Sequence, residues 1–531
     1  MRVKWPFLIS AAVTVTSTAA LSVPAAAQAA SGPRPGVNVA RQAAERADQA
    51  FEARMAARAR AASATAAPAT AAPSAANAGS GTAAGSAFAT ISNVGQISRD
   101  TVPASSPEIE PDTQTEPDIA IGTTNPQIIT AAFQQGRNGP FGGSQAPGYA
   151  TSQDGGRSWT GGNLPKLTTA DGGTFQLASD TAVAFGPDGS DYAQTIPFDE
   201  TDARSGVAVQ RSTDGGRTFG PPSLVVDDNN VNIFNDKNWI AVDTFRGSPH
   251  YGRIYSVWSR FITTGTGSSA VTHSPGAVSY SDNHGRTWSP IHFTTGQAAN
   301  TEGLIPLIHA DGSITVVYDL TVGNADYETA QTSHDGGNTW SPGVTVGQFL
   351  GAGVPGMRTG GLPAAAIDPS TGHMYAVWQD TRFNPSKLND VVLSVSADGG
   401  QSWSSPRPVS PAGPGLDRFT PAVAAGGGAV HITYRTRGAN GTAPSVSEDY
   451  IASTDGGRTF GPQHQVGPAS VLKWAAVSDE APPPVAFLGD YMAVAVAPTE
   501  PSRAELVWAV SSRPPSNETY HQTTWAATVS R

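Results

Sequence analysis

Ser152-Gln153-Asp154-Gly155-Gly156-Arg157-Ser158-Trp159 is the first of six copies of one short motif, Ser-x-Asp-x-Gly-x-Thr-Trp, with Ser allowed for Thr, Phe for Trp and Asn for Asp. The others begin at Ser212, Ser281, Ser333, Ser396 and Ser453, and each follows a short apolar segment. Self-similarity at this spacing means stacked supersecondary units, so the repeat decides the fold. The residue types recur for physical reasons. An Asp at the third position accepts N–H bonds within its own turn. Gly156, Gly216, Gly285, Gly337, Gly400 and Gly457 can take the positive φ of a tight turn. The closing Ser or Thr adds a hydroxyl, and the Trp or Phe fills the gap between neighbouring strands. Asn283 replaces Asp in the third copy, and its amide oxygen can still accept. These aspartates read as structural, because identical catalytic residues are not needed six times.

The units carry more than the motif. Apolar strands are predicted at Asp118–Ile121, Thr181–Phe185, Trp239–Val242, Leu304–Ile308, Pro363–Ile367, Ala422–Ala425 and Met492–Val496. A turn and a second strand follow, with Phe133, Trp258, Tyr318, Trp378, Tyr434 and Trp508 at matching places. A third strand leads into the motif and a fourth leaves it. Four short antiparallel strands per unit make an all-β propeller blade. The last unit, from Gly489-Asp490-Tyr491 to Thr528, has no motif but does have the strands, which makes seven blades. Its outer strand is expected near Ile91–Val102, closing the ring and removing exposed edges.

The motif is the Asp box, and residues 105–531 resemble the sialidase-like, Asp-box (BNR) β-propeller superfamily. A six-bladed ring is the alternative that this resemblance implies. In such a blade the loop before the innermost strand and the loop after the second strand share one face, and the boxes lie on the other. The residues before the first strands are Glu116 and Asp118, Asp180, Asp236 with Lys237, Glu302, Arg358, Arg418, and Asp490 with Tyr491. Second-strand exits add Arg260, Asp319, Asp380, Arg382 and Arg435. Every unit places charge here although charged residues are only 14% of the chain. Guanidinium forks bind carboxylates bidentately, and paired acids serve as proton donor and base. Polar residues also line any wet channel and cap strand ends, so a purely structural ring remains an open reading.

The resemblance implies three arginines for a substrate carboxylate, a Tyr–Glu nucleophile pair and an Asp acid/base. Arg358, Arg382 and Arg418 stand where such arginines could, Tyr491, Glu302 and Asp236 where the catalytic groups could, and Glu116, Asp180 and Asp490 beside them. The Phe-Arg-Ile-Pro signature of sialidases is absent; Arg418-Phe419-Thr420-Pro421 is the nearest string. The expected function is a secreted, exo-acting glycoside hydrolase of sialidase-like type on acidic or terminal sugars. The alternatives are a non-catalytic glycan- or protein-binding propeller and a lyase on uronate-containing glycans.

Composition bounds the remaining classes. A balance of 32 basic against 43 acidic residues argues against nucleic acid as a partner. With no cysteine, neither disulfides nor Cys-based metal sites are available. The ten histidines form no zinc-protease pattern, and no phosphate loop stands out; Gly426-Gly427-Gly428 reads as a turn. No cofactor is expected, although Asp and backbone oxygens could hold a structural calcium. A monomer is expected. Residues 1–30 read as a secretory signal, from Arg2 and Lys4 through the apolar stretch Phe7–Val23 to Ala25-Ala26-Ala27. Residues 31–104 read as an Ala-rich helix over Gln42–Ala62, with too few large apolar residues to add a core, followed by a flexible linker over Ser63–Ser86. Deleting 31–100 is therefore expected to leave a folded all-β protein, unless the closing strand lies within it.

Overall fold

The computed structural model describes residues 38–65 and 89–530, apart from 141, 414, 439–444, 479–483, 498 and 516–517. The expected signal at 1–30 and most of the expected linker lie outside these residues. Seven innermost strands, Ile109–Ile121, Leu177–Phe185, Ile233–Val242, Thr301–Ile308, Ala364–Ile367, Leu416–Gly426 and Ala493–Ala497, define blades 1 to 7. They contact one another in chain order and the seventh returns to the first, closing a ring. Each pairs outward through second, third and fourth antiparallel strands, as in blade 4, where Thr301–Ile308, Ile314–Val322, Ala325–Ser333 and Val344–Phe349 follow in sequence. Blades 7, 1 and 2 form one continuous 12-stranded sheet only because single bridges, Thr113 to Gln522 and Ser144 to Ala178, link them.

Blade 7 is completed by the strand Thr90–Gln96, which pairs antiparallel with Gln522–Ser530. The propeller thus begins before Ser105, as the closing-strand idea requires. The six expected second-strand aromatics are all at most 2% exposed. They anchor inter-blade layers such as the one joining Tyr375 and Val377 of blade 5, Val430 and Ile432 of blade 6, and Leu506 and Trp508 of blade 7.

The Asp boxes are turn-building devices. Ser152 Oγ donates to Asp154 Oδ1 (2.8 Å) and accepts from Gly156 N (2.9 Å); Ser158 N and Oγ donate to Asp154 Oδ1 (2.9 Å) and Oδ2 (2.6 Å). The pattern recurs at Asp214, Asp335, Asp398 and Asp455. At Asn283 the oxygen accepts from Thr287 N (2.9 Å), while Nδ2 donates to Thr287 Oγ1 (2.7 Å). Gly427 N and Gly428 N are occupied by the Asp368 carboxylate (3.1 and 2.7 Å), so the triple glycine is an inter-blade turn.

The largest correction concerns the Ala-rich segment. Val39–Thr65 is one helix, α1, and it is packed on the ring. Asn38 caps it, accepting from Arg41 N (2.9 Å), and donates to Ala203 O (3.1 Å) and Ile233 O (2.7 Å). Ala40 and Ala44 join Leu177, Phe198, Phe234 and Phe261 of blades 2 and 3. Met55 is fully buried with Ile305, Phe349 and Trp378 of blades 4 and 5. Small alanines suffice because the helix backbone approaches closely, so the scarcity of large apolar residues did not prevent docking. At about 1.5 Å per residue, 27 residues reach about 40 Å, enough to cross the mouth of the ring.

Candidate functional site

The innermost strands share a local irregularity that builds the site. Register slips between Thr115 and Asp118, Ser179 and Ala182, Asp236 and Trp239, Glu302 and Ile305, and Phe419 and Ala422. At each slip one residue is left-handed: Glu116 (φ 52°), Asp180 (48°), Lys237 (49°), Gly303 (67°) and Thr420 (48°). Left-handed backbone costs a non-glycine residue about 1–2 kcal/mol, and bulges re-aim side chains. Four non-glycine residues bear that cost at the same place in their blades.

The bulges of blades 1 to 4 line a cavity of about 320 Å³. Its wall carries Glu116, Asp180, Asp236, Glu302, Asp319 and Asp490, with Arg137, Lys237 and Arg358 as the cations; α1, from Arg41 to Arg54, forms the remaining side. Several of the carboxylates also staple blades together. Glu116 Oε1 accepts Asp490 N (3.2 Å), and Oε2 accepts Gln134 Nε2. Asp118 Oδ2 accepts Val183 N (2.8 Å), and Asp180 Oδ2 accepts Lys237 N (2.9 Å). Burial, followed by the carboxylates of Asp180 and Asp490, pushes Glu116 up to about 8. Burial likewise raises Asp118 to about 7, against the pull of Val183 N–H. Burial works to raise Asp490, but the Arg358 guanidinium outweighs it and holds that carboxyl below its usual range.

The sequence-predicted residues divide accordingly. Asp236, Glu302, Glu116, Asp180, Asp490 and Arg358 meet in the cavity wall. Arg358 lies in a short strand, Met357–Arg358, parallel to Val485–Phe487, and pairs with Asp490 (2.7 and 3.3 Å). Arg418, expected among the substrate-binding arginines, does not join Arg358 in the cavity wall. It is 2% exposed, paired with Asp390 (2.9 Å), and outside the cavity wall. Arg382 pairs with Asp380 (2.6 Å), also outside that wall. Of the second-strand exits, Arg260 holds Asp228 (2.7 Å), and Arg435 donates to the carbonyls of Leu488 and Gly489 (2.6 and 2.7 Å). Tyr491 donates to Thr181 O (3.3 Å), and burial, then Asp180 and Glu116, raise its hydroxyl well above the usual range. It is absent from the cavity wall.

Sequence reasoning missed Arg137, near the end of the second strand of blade 1, which stacks over Phe487 (3.9 Å). It named Asp319 but not Asp326 and Glu328, which complete an acid cluster in blade 4. Asp319 and Glu328 face each other across the strand pair, with Asp326 beside them, all buried. Burial and mutual repulsion push Asp319 and Glu328 well up. Arg54 and Arg58 of α1 reach Asp326 at 2.9 and 3.2 Å. Among the described residues no group of acids and histidines has metal-binding geometry, and no helix is long and apolar enough to cross a membrane.

Residues 201–414 match the BNR repeat-like domain family. No curated protein matches the sequence. Among solved structures, the chain is similar to a protein of unknown function from Dyadobacter fermentans (13% identity, TM-score 0.42, covering 82% of this chain and 99% of that one). It is also similar to a Hadza microbial sialidase (16%, 0.42, 61% and 64%). A third is the GH93 α-L-arabinofuranosidase of Fusarium graminearum (14%, 0.40, 66% and 92%). The seven four-stranded blades and six boxes make the fold an Asp-box β-propeller, and residues 201–414 within it match the BNR repeat-like domain.

Proposed function

We propose that the funnel is the active site of an exported glycoside hydrolase that takes a terminal, uncharged sugar. The observation that carries this reading is the convergence of Asp236 and Glu302, from equivalent bulges of adjacent blades, on one cavity of sugar-ring size. One carboxyl protonates the glycosidic oxygen while the other assists the attack at the anomeric carbon. The three arginines nominated for a substrate carboxylate, Arg358, Arg382 and Arg418, are each paired with a protein carboxylate, which favours an uncharged sugar over an acidic one. The position of Tyr491 favours chemistry by carboxylates alone. Export is supported by the sequence of residues 1–30.

The test is release of reducing sugar from arabinan oligosaccharides, neutral exo-substrates and sialosides. It should be run on the full chain and on chain in which α1 has been displaced. Asp236→Asn and Glu302→Gln should each lower turnover by about 10²–10⁴ with little change in melting temperature. An unsaturated, ultraviolet-absorbing product from uronate polymers would replace this reading with elimination, and binding without turnover would leave a recognition propeller. Fractionation of the producing cells checks export.

A further inference from the structure

The ring is complete without α1. The seven inner strands contact each other in a closed circle, and Thr90–Gln96 supplies the last blade. Between the two ends of α1 that join core, its middle turns cover a cavity. At one end of the helix Ala40 N donates to Val231 O (2.9 Å); at the other, Arg54 and Arg58 grip Asp326, while Phe51 packs on Phe349 (5.7 Å). The two guanidiniums enter a socket whose carboxylates otherwise repel one another. Both Glu328 oxygens and Asp319 Oδ1 lack hydrogen-bond partners among the described residues. A second group marks the covered space as a binding site. Lys237 is 9% exposed, lines the cavity, and has no hydrogen-bond partner for its Nζ among the described residues. Its ammonium rests on the Tyr491 ring, Nζ 3.4 Å from the centroid, and its N–H donors stay available to an acceptor on a ligand in the cavity.

We propose that α1 is a removable plug: by seating Arg54 and Arg58 in the acidic socket of blade 4, it occupies the mouth of the funnel, and the cavity is reached only when this helix leaves. The socket is accordingly a site for a guanidinium-bearing helical segment, with the chain's own α1 as its resident occupant. The helix is suited to leaving. Among the described residues its buried apolar side chains are Ala40, Ala44 and Met55, with Arg41 buried over Phe198 near its start, while Arg54 and Arg58 remain 26% and 24% exposed, so water can reach their ion pairs. The inference does not depend on the hydrolase reading, because it concerns access.

Lys237 supplies the readout. In the full chain, acetylation by an amine-reactive reagent, quantified by mass spectrometry, should be slow at Lys237 and fast at the exposed Lys166 and Lys387. Arg54→Glu/Arg58→Glu should raise labelling of Lys237 by about tenfold or more, the size of an open–closed shift when charge-assisted pairs become repulsive. Labelling at Lys166 and the melting of the ring should stay unchanged. A synthetic peptide of residues 38–65 should restore protection to that variant, and the same peptide with both arginines changed to Glu should not. As a second route, a protease site inserted in the full chain between residues 66 and 88 allows α1 to be severed from an otherwise native protein. Release of α1 in high salt from a ring that stays folded supports the plug. Collapse of the ring on release, or equal Lys237 labelling with α1 bound and released, overturns it.

Discussion

Lys237 stands over Tyr491: Nζ lies 3.4 Å from the ring centroid, while the phenol hydroxyl faces away to donate to Thr181 O at 3.3 Å. The face that an ammonium covers is electron-rich, so the contact is attractive, worth about 2 kcal/mol or more when desolvated. The pair ties blade 3 to blade 7. It also takes the hydroxyl out of reach of a ligand in the cavity.

Tyr491→Phe is therefore expected to remove one hydrogen bond and little else. Stability should fall by about 0.5–1.5 kcal/mol, and any turnover should stay within a few-fold of the parent. Thermal melts and steady-state kinetics decide. A loss of orders of magnitude in kcat would restore the phenol as a nucleophile.

Buried carboxylic acids make the fold prefer acid. Glu116 is raised to about 8, and Asp118 and Asp191 to about 7, in each case first by burial. The unfolded chain releases these protons near the ordinary carboxylate range, whereas the native state keeps them. Stability is therefore full below that range and is lost as pH rises toward 7 and 8. The box carboxylates act oppositely. Ser158, through its hydroxyl and then its N–H, holds Asp154 down at about 2, so its contribution is present above the ordinary range and lost as pH falls toward 2. Melting temperature should be higher at pH 5 than at pH 9, and Glu116→Gln should flatten the alkaline limb. A melting curve indifferent to pH across that interval would contradict the burial of these acids.

Arg418 separates a structural from a binding role. Removing one partner of a buried pair strands the other, here Asp390, and Arg418→Ala should cost about 3–5 kcal/mol. Chemical denaturation measures that directly. A variant of unchanged stability that failed to bind sugar would return Arg418 to the funnel.

Truncation should discriminate sharply between two N-terminal segments. Removing residues up to 88 leaves Thr90–Gln96 in place, and the ring should still fold. Removing residues up to 97 exposes the unpaired edge of Gln522–Ser530 and should produce an aggregating protein. Size-exclusion chromatography of the two products is sufficient, and equal behaviour would mean that the closing strand is dispensable.

The architecture was legible because the box is local chemistry. Asp154, Gly156 and Ser158 satisfy each other within one turn, so six copies reveal six turns without any tertiary information. The aromatic of each second strand was equally readable, since an inter-blade layer needs one bulky residue at a fixed position. The lip of the funnel was legible as charge but not as roles. Whether Arg358 or Arg418 faces a ligand depends on which carboxylate another blade offers, since Asp490 and Asp390 meet them only in space, whereas Arg382 is held by its near neighbour Asp380. Docking of α1 was least legible. Ala40, Ala44, Phe51 and Met55 share one helical face, but alanines carry almost no hydrophobic signal, and the acids receiving Arg54 and Arg58 lie about 270 positions away.

Seventh-blade closure also sets an order of events during synthesis. Asn93 and Thr528 face each other across the seam although 435 positions separate them. The first strand of the propeller must therefore wait for almost the entire chain before it finds its neighbour, whereas blades 1 to 6 can each pair within themselves as they emerge. Until then the nascent protein is an open arc with two raw ends. That exposure ends only when the last strand, Gln522–Ser530, is available to take Thr90–Gln96.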